Sequence, residues 1–298
     1  MPLQYLRVFR YIDAVARTGS IRKAAESLFI TPSALDRRVQ DLEAALGTEL
    51  FERHARGVRL TAAGEVFIQH IRVQRADFER ARTEIEHLKG LRKGSVSIAA
   101  SQAMAFHVLP DLLNRFREAQ PGITFSVRVC DRASVIKSLR EFEVDIGLVY
   151  NVDKSPDINT LFEIEQGMCA VMAEHHPLAG KSKLRMSDCM KYPVALPDAS
   201  IGGRALLENF FAHSSLQPSI VLESNSFEML RHFVRSNDAI TFQIEIGTSL
   251  NRVTDGVIAR MLSDTRLAKR SLSIVQLKGR PLSLPALRLL EMLKSEWQ

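Results

Sequence analysis

Cysteine is scarce. The chain has three in 298 residues, at positions 130, 169 and 189, and no CxxC pair. An odd, widely spaced set does not make a disulfide framework and reads as reduced, buried thiols in a reducing compartment. Long apolar runs are missing too, so no stretch is expected to span a membrane. The opening MPLQYLRVFRYIDAV is amphipathic, with Leu3, Leu6, Phe9 and Ile12 in phase, and lacks the continuous apolar core of a signal peptide. The expected location is therefore cytoplasmic, off the membrane. Catalytic signatures are absent as well: no GxSxG, no P-loop, no HExxH and no GxGxxG after a strand. No enzyme, cofactor or metal is expected. There is no internal repeat and no low-complexity tract.

What is present starts with size and charge. A chain of 298 residues that is 46% hydrophobic can bury two or three domain cores. Formal net charge is +6. Lys+Arg against Asp+Glu count 10 to 7 over residues 1–60, 7 to 5 over 61–93, and 23 to 22 over 94–298. Five of the six excess positive charges thus lie in the first third. That is where a polyanion such as DNA would bind.

The segment SIRKAAESLFITPSALDRRVQDLEAAL (20–46) predicts two short helices joined by a tight turn. In the second, Leu35, Val39, Leu42 and Leu46 form one apolar stripe. Ser33, Asp36, Arg37 and Gln40 point the other way and are residue types that read base edges in a major groove. Thr31 suits the cap, Pro32 the first helical position and Gly47 the stop. In the first helix, which starts at Ser20, Ala24, Ala25 and Leu28 are expected to be buried, the two alanines being small enough for close helix crossing. An amphipathic hairpin inside a helical domain is the alternative. Leu50–Arg53 and Val58–Leu60 then flank His54-Ala55-Arg56-Gly57, which predicts a two-stranded wing. Arg53, Arg56 and Arg59 on it suit phosphate or minor-groove contact.

This run resembles the DNA-binding domain of LysR-type transcriptional regulators. The resemblance rests on Ala24-Ala25, Leu28, Leu42-Glu43, Leu46-Gly47, Leu50-Phe51-Glu52-Arg53, Leu60-Thr61 and Ala63-Gly64. It implies a DNA-facing set of Lys23, Thr31, Pro32, Ser33, Asp36, Arg37, Arg38, Gln40, Arg53, Arg56 and Arg59. Two positions depart from the family pattern: Pro32 replaces a common Gln, and Asp36 a common Ser. A carboxylate facing DNA is repelled by phosphate unless it accepts from a cytosine amino group or pairs with a nearby cation.

From Thr61 to about Lys89 the chain has no proline, and Gly64 is its one glycine. Phe67, Ile71, Gln74, Phe78, Ala81, Ile85 and Leu88 alternate spacings of four and three, as in a heptad seam. The helix would be roughly 40 Å long at about 1.5 Å per residue. It either packs on its own chain or, as the resemblance implies, pairs with the same helix of another subunit. Phe67, Ile71, Phe78, Ile85 and Leu88 are the expected dimerisation residues. Gly90-Leu91-Arg92-Lys93-Gly94 reads as a hinge.

Beyond it, strand and helix patterns alternate. Strands are expected at 95–100, 123–129, 145–150, 168–173, 220–222, 239–242, 258–262 and 271–277. Helices are expected at 106–119, 134–142, 203–213, 226–235 and 283–295. The fold class is α/β, with enough units for two small sheets. By resemblance the architecture is a winged helix-turn-helix (1–60), a linker helix (61–90) and a two-lobed effector-binding domain (91–298) like a periplasmic binding protein. Lobe one would be 94–164 plus 266–298, and lobe two 165–265.

Ligands of such sheets sit beyond the carboxyl ends of strands. That points to Ser101, Gln102, Asp131, Arg132, Gly203, Arg204, Ser224, Asn225 and Gln243 for a small-molecule effector. Arg204, before a helix and beside two glycines, is the expected binder of an anionic group. His175-His176-Pro177 reads as a surface turn. Ser236-Asn237-Asp238-Ala239 stands where the family has a glycine-rich segment at the pocket wall. The expected function is an effector-responsive regulator binding double-stranded promoter DNA as a dimer or tetramer. Two other classes remain open: a small-molecule binding protein with an incidental helical domain, and an α/β enzyme.

Overall fold

The computed structural model describes residues 3–88, 93–267 and 269–297. It divides into two compact units, Met1–Arg82 and Thr83–Gln298. The expected hinge residues 90–92 and the side chains of Leu3, Leu6 and Leu88 lie outside the described residues.

The first unit holds α1 (Leu3–Thr18), α2 (Ile21–Leu28), α3 (Pro32–Leu46), β1 (Phe51–His54), β2 (Gly57–Leu60) and most of α4 (Ala62–Leu88). Local chemistry marks the boundaries. Ser20 caps α2 by accepting from the Lys23 amide, and Thr31 caps α3 by accepting from the Ala34 amide at 3.3 Å. Gly47 closes α3 in the left-handed conformation, φ 68°. Leu35 and Val39 are fully buried, Leu42 packs at the core edge, and Leu46 is 43% exposed. The apolar stripe of α3 therefore stops a turn before the helix does. Ala24 and Ala25 are completely buried against Ile12, Val15, Leu50, Phe51 and Ile68.

The residues of the seam expected on α4 differ in burial. Ile71 is 1% exposed within the single chain, and Phe67 meets Phe9 edge-on at 6.0 Å. Ile71 belongs to the core of the first unit, and Phe67, partly buried, packs against that core. Phe78 and Ile85 are 50% and 51% exposed. One link was not read from the sequence. Asp13, 5% exposed, receives Arg17 at 2.9 Å, Arg72 at 3.1 Å and Arg75 at 2.7 Å, which ties α1 to α4.

In the second unit, the first half of the chain forms β3 (Gly94–Ala100), α5 (Gln102–Ala105), α6 (Val108–Ala119), β4 (Ile123–Val129), α7 (Arg132–Arg140), β5 (Ile146–Tyr150) and β6 (Ile158–Gln166). Then come β7 (Met168–Ala173), α8 (Met186–Cys189), β8 (Val194–Pro197), α9 (Arg204–Ala212), β9 (Ile220–Ser224) and α10 (Phe227–Arg235). They are followed by β10 (Ile240–Ile244), β11 (Val253–Thr254), β12 (Val257–Met261), β13 (Arg270–Leu277) and α11 (Leu284–Trp297).

Two mixed sheets result. One has the order β4-β3-β5-β13-β6, the other β11-β12-β7-β10-β8-β9. In the first, β3 is parallel to β4 and β5, and β13 returns antiparallel between β5 and β6. In the second, β8 is parallel to β9 and β10, while β7 is antiparallel to β10 and β12. All five residues of β5 and all six of β7 are buried, as expected of strands covered on both faces. The helix expected over 106–119 is α6 and starts at Val108, and the short α5 before it was not read from the sequence. Strands β6, β8 and β11 and helix α8 were not read from the sequence. β6 is an edge strand with mixed polarity, INTLFEIEQ, and β8 and β11 are too short to show a period.

Candidate nucleic-acid interface and ligand cleft

The outer face of α3 carries Ser33, Arg37, Arg38 and Gln40, all exposed. Strands β1 and β2 pair antiparallel from Phe51–Leu60 to His54–Gly57 and form the wing. Glu43 holds the two parts together: its carboxylate accepts from the Leu50 amide at 2.7 Å and the Phe51 amide at 3.1 Å. The wing also rests on the α1–α2 turn, where the Val58 amide donates to the Gly19 carbonyl at 2.9 Å. A Cβ at Gly57 would stand 2.2 Å from that same oxygen, so only glycine fits there.

The cations separate into two kinds. Lys23, Arg37, Arg38, Arg56 and Arg59 are exposed and form no ion pair among the described residues. Arg53 is different. Its guanidinium donates to Asp36 at 2.7 Å, and Gln40 donates to the other Asp36 oxygen at 3.3 Å. The hydrogen bond to Asp36 pushes the Arg53 pKa up. Asp36 is therefore compensated inside the protein and not left to face phosphate alone. Arg53, expected to be a free phosphate ligand, is committed to α3. Thr31 and Pro32 start α3, and the Thr31 hydroxyl also lies 3.3 Å from that of Ser33.

In the second unit a cleft of about 50 Å³ opens beyond the carboxyl ends of β3 and β4. Ser101, Gln102, Asp131, Arg132, Gly203 and Gln243 line it. The Ser101 hydroxyl is buried and has no hydrogen-bond partner among the described residues. Asp131 caps α7, accepting from the amide and hydroxyl of Ser134, and these bonds hold its carboxyl below the usual range. Arg132 donates to the Asn151 carbonyl at 2.7 Å and pairs with Asp153 at 3.3 Å. Tyr150, Met168, Ile201, Phe227, Phe242 and Ile244 supply the apolar wall. None of these six was expected. Tyr150, Met168 and Ile244 end or begin strands, Phe242 lies inside β10, Phe227 opens α10 and Ile201 lies between β8 and α9, and no local motif marks them as one wall. Burial pushes the Tyr150 hydroxyl up to about 12 and raises the Cys130 thiol at the same wall.

Three expected ligand residues are not in the cleft lining. The Arg204 guanidinium is 13% exposed and spent on Glu208 at 2.9 Å, Glu223 at 2.9 Å and the Pro197 carbonyl at 2.7 Å. Two carboxylates already neutralise it, so it is no anion receptor. The Ser224 hydroxyl accepts from the Ser226 amide at 3.1 Å. Asn225 offers only its carbonyl, to the Gln102 side chain. Gln102 also accepts from the Phe227 amide at 3.0 Å, which bridges α5 to the start of α10 across the two sheets. Ser236–Ala239 lines neither this cleft nor the wider cavity beside it. His176, expected in a surface turn, is buried: it accepts from the Leu178 amide at 3.1 Å and its ring packs at a tilt against Tyr192, centroids 4.4 Å apart. Among the described residues no trio of His, Cys, Asp or Glu is placed to hold a metal, and no helix is long and apolar enough to cross a membrane.

Two family models match. Residues 6–65 fit the bacterial regulatory helix-turn-helix protein of the lysR family, and residues 89–298 fit the LysR substrate binding domain. The HTH-type transcriptional activator CmpR of Synechocystis sp. is 28% identical over 229 residues, covering 77% of this chain and 75% of that protein. The HTH-type transcriptional regulator CysL of Bacillus subtilis is 25% identical over 230 residues, 77% of each chain. The fold is that of full-length CbnR complexed with its target DNA, with TM-score 0.65 at 19% identity over 97% of this chain and 99% of that one. It is also that of a full-length OxyR variant from Pseudomonas aeruginosa, with TM-score 0.67 at 21% identity over 97% and 93%.

Proposed function

The chain belongs to the LysR family of transcriptional regulators, and on that footing we propose how its residues divide the work. As a family member it is a DNA-binding regulator with an effector-binding domain, not an enzyme. Its partners are promoter DNA, a small-molecule effector and further copies of itself. We place it in the cytoplasm, where promoter DNA is.

The reading head is the winged helix of residues 1–60, the linker helix runs over 61–90, and the effector unit over 91–298. Ser33, Arg37 and Gln40 meet base edges. Lys23, Arg38, Arg56 and Arg59 meet phosphate. The observation that carries this is the set of exposed, unpaired cations on α2, α3 and the wing, while Arg53 beside them is neutralised. Free cations release counterions on binding DNA, whereas paired ones release fewer. The outer part of α4, with Phe78 and Ile85, supplies the subunit contact. The effector's polar group meets the Ser101 hydroxyl and its apolar body Tyr150, Phe227 and Phe242, and the cleft, about 50 Å³ as it stands, widens to admit it. Gln102 bridges the two sheets at the cleft's edge and senses its filling. Footprinting on DNA flanking the chain's own gene, with and without metabolite pools, tests the reading. Absence of any protected site under both conditions would overturn it.

A further inference from the structure

We propose that a second cavity, beside the Ser101 cleft, is a binding site for a small organic monocarboxylate, held by the buried guanidinium of Arg231. Arg231 lies on the inward face of α10 with Phe227, Leu230 and Val234, and is 8% exposed. Its guanidinium carbon stands 4.0 Å from the centroid of the Phe106 ring, and one nitrogen donates to the Gln243 side-chain oxygen at 3.3 Å. Among the described residues it has no carboxylate within 4.0 Å, and Asp255, whose charge reaches it, lies farther off. A guanidinium carries five donors, and burying one without an anion is costly.

Two other arginines of low exposure are held by carboxylates. Arg72, at 7% exposure, meets Asp13 at 3.1 Å. Arg204 has two carboxylates. Arg231 alone of these three is left with a neutral amide and a ring, and burial lowers its pKa. It faces a cavity of about 610 Å³, within the usual range of small-molecule sites, roughly 300–1,000 Å³.

The lining sets the chemical class. Phe106, Ala103 and Val257 provide apolar walls, and Arg231 provides the fork that matches a carboxylate. Around them are Arg235, whose guanidinium lies 3.0 Å from the His232 ring, and the carboxylates Glu228 and Asp255. Two arginines stand against two carboxylates in the lining, so their charges balance. With the lining balanced, a monoanion leaves the occupied site with one excess negative charge and a dianion with two. A phosphate dianion or a dicarboxylate is disfavoured for that reason. Gln102, Ala103, Phe227 and Gln243 line both cavities. A carboxylate that takes over the Arg231 donors frees the Gln243 oxygen, so occupancy of the second cavity alters the wall of the first.

The test uses the full-length protein, with phenylacetate as probe and phenylacetamide as its uncharged counterpart, by titration calorimetry. Phenylacetate is expected to bind at least about tenfold tighter than phenylacetamide. Arg231→Met should weaken phenylacetate by at least about tenfold and leave phenylacetamide unchanged, while Ser101→Ala should leave phenylacetate within about twofold. Phe106→Leu, which keeps the charge and removes the stacked ring, should also weaken phenylacetate and serves if Arg231→Met does not fold. Loss of binding in Ser101→Ala with retention in Arg231→Met would place the carboxylate in the first cleft and overturn the proposal. So would equal affinity for acid and amide, or no heat for phenylacetate up to about 10 mM.

Discussion

The Arg53 guanidinium on the wing donates to the Asp36 carboxylate on the recognition helix at 2.7 Å, across 17 residues of sequence. The pair decides how two residues of the proposed DNA-facing surface behave. With side chains 50% and 30% exposed, it adds little stability, about 0–1 kcal/mol. Its consequence is electrostatic: one cation is withdrawn from phosphate. Asp36→Ser is expected to release Arg53. Anisotropy titrations against salt should then show a slope steeper by about one counterion and tighter binding to random DNA. An unchanged slope would mean that Arg53 is already on phosphate in the complex.

Arg37 is exposed and unpaired at the centre of the polar face of α3. Arg37→Ala should reduce discrimination at one base position by about 1–3 kcal/mol. Arg59→Ala should instead weaken all sequences alike. Competition binding with single-base operator variants separates the two. The assignment fails if Arg37→Ala preserves every preference.

Asp13 is the common carboxylate of Arg17, Arg72 and Arg75. Asp13→Ala leaves Arg72 buried without its anion and should cost about 3–5 kcal/mol in urea unfolding of the N-terminal unit. A loss below about 1 kcal/mol would show that solvent reaches these arginines.

The two ends of α4 should respond differently. Ile71→Ala opens a cavity in a one-chain core and should cost about 2–5 kcal/mol with the subunit stoichiometry intact. Phe78→Glu should leave stability of the N-terminal unit nearly unchanged and shift sedimentation toward smaller species. The opposite pattern would put the subunit contact at the core end of the helix.

Burial lowers the pKa of His107 and His176. Each is thus expected to bind more protons unfolded than folded below the unfolded value of about 6.5. Stability should therefore fall as pH drops through that value and stay level above it, with a slope of at most about 1.4 kcal/mol per pH unit for each histidine. His176→Asn should flatten the slope. Equal slopes in both proteins would show that His176 titrates normally.

The sequence by itself determined the elements of the first unit and most strands and helices of the second. The cause is local: Thr31, Pro32 and Gly47 mark α3 through caps and φ within a few residues, and its two faces follow from a period of 3.6. Ser101, Asp131 and Gly203 could be named because strand ends recur at a predictable place in α/β sheets. Only the tertiary structure decided how charge is spent. Arg53 and Arg204 read as free cations in the sequence, and carboxylates 17 and 19 residues away claim them. Ile71 read as seam and is core, because α1 lies over it. Arg231 did not stand out in the sequence. Its isolation is a fact about what is absent within 4 Å in three dimensions, and Coulomb interaction depends on that distance rather than on sequence separation.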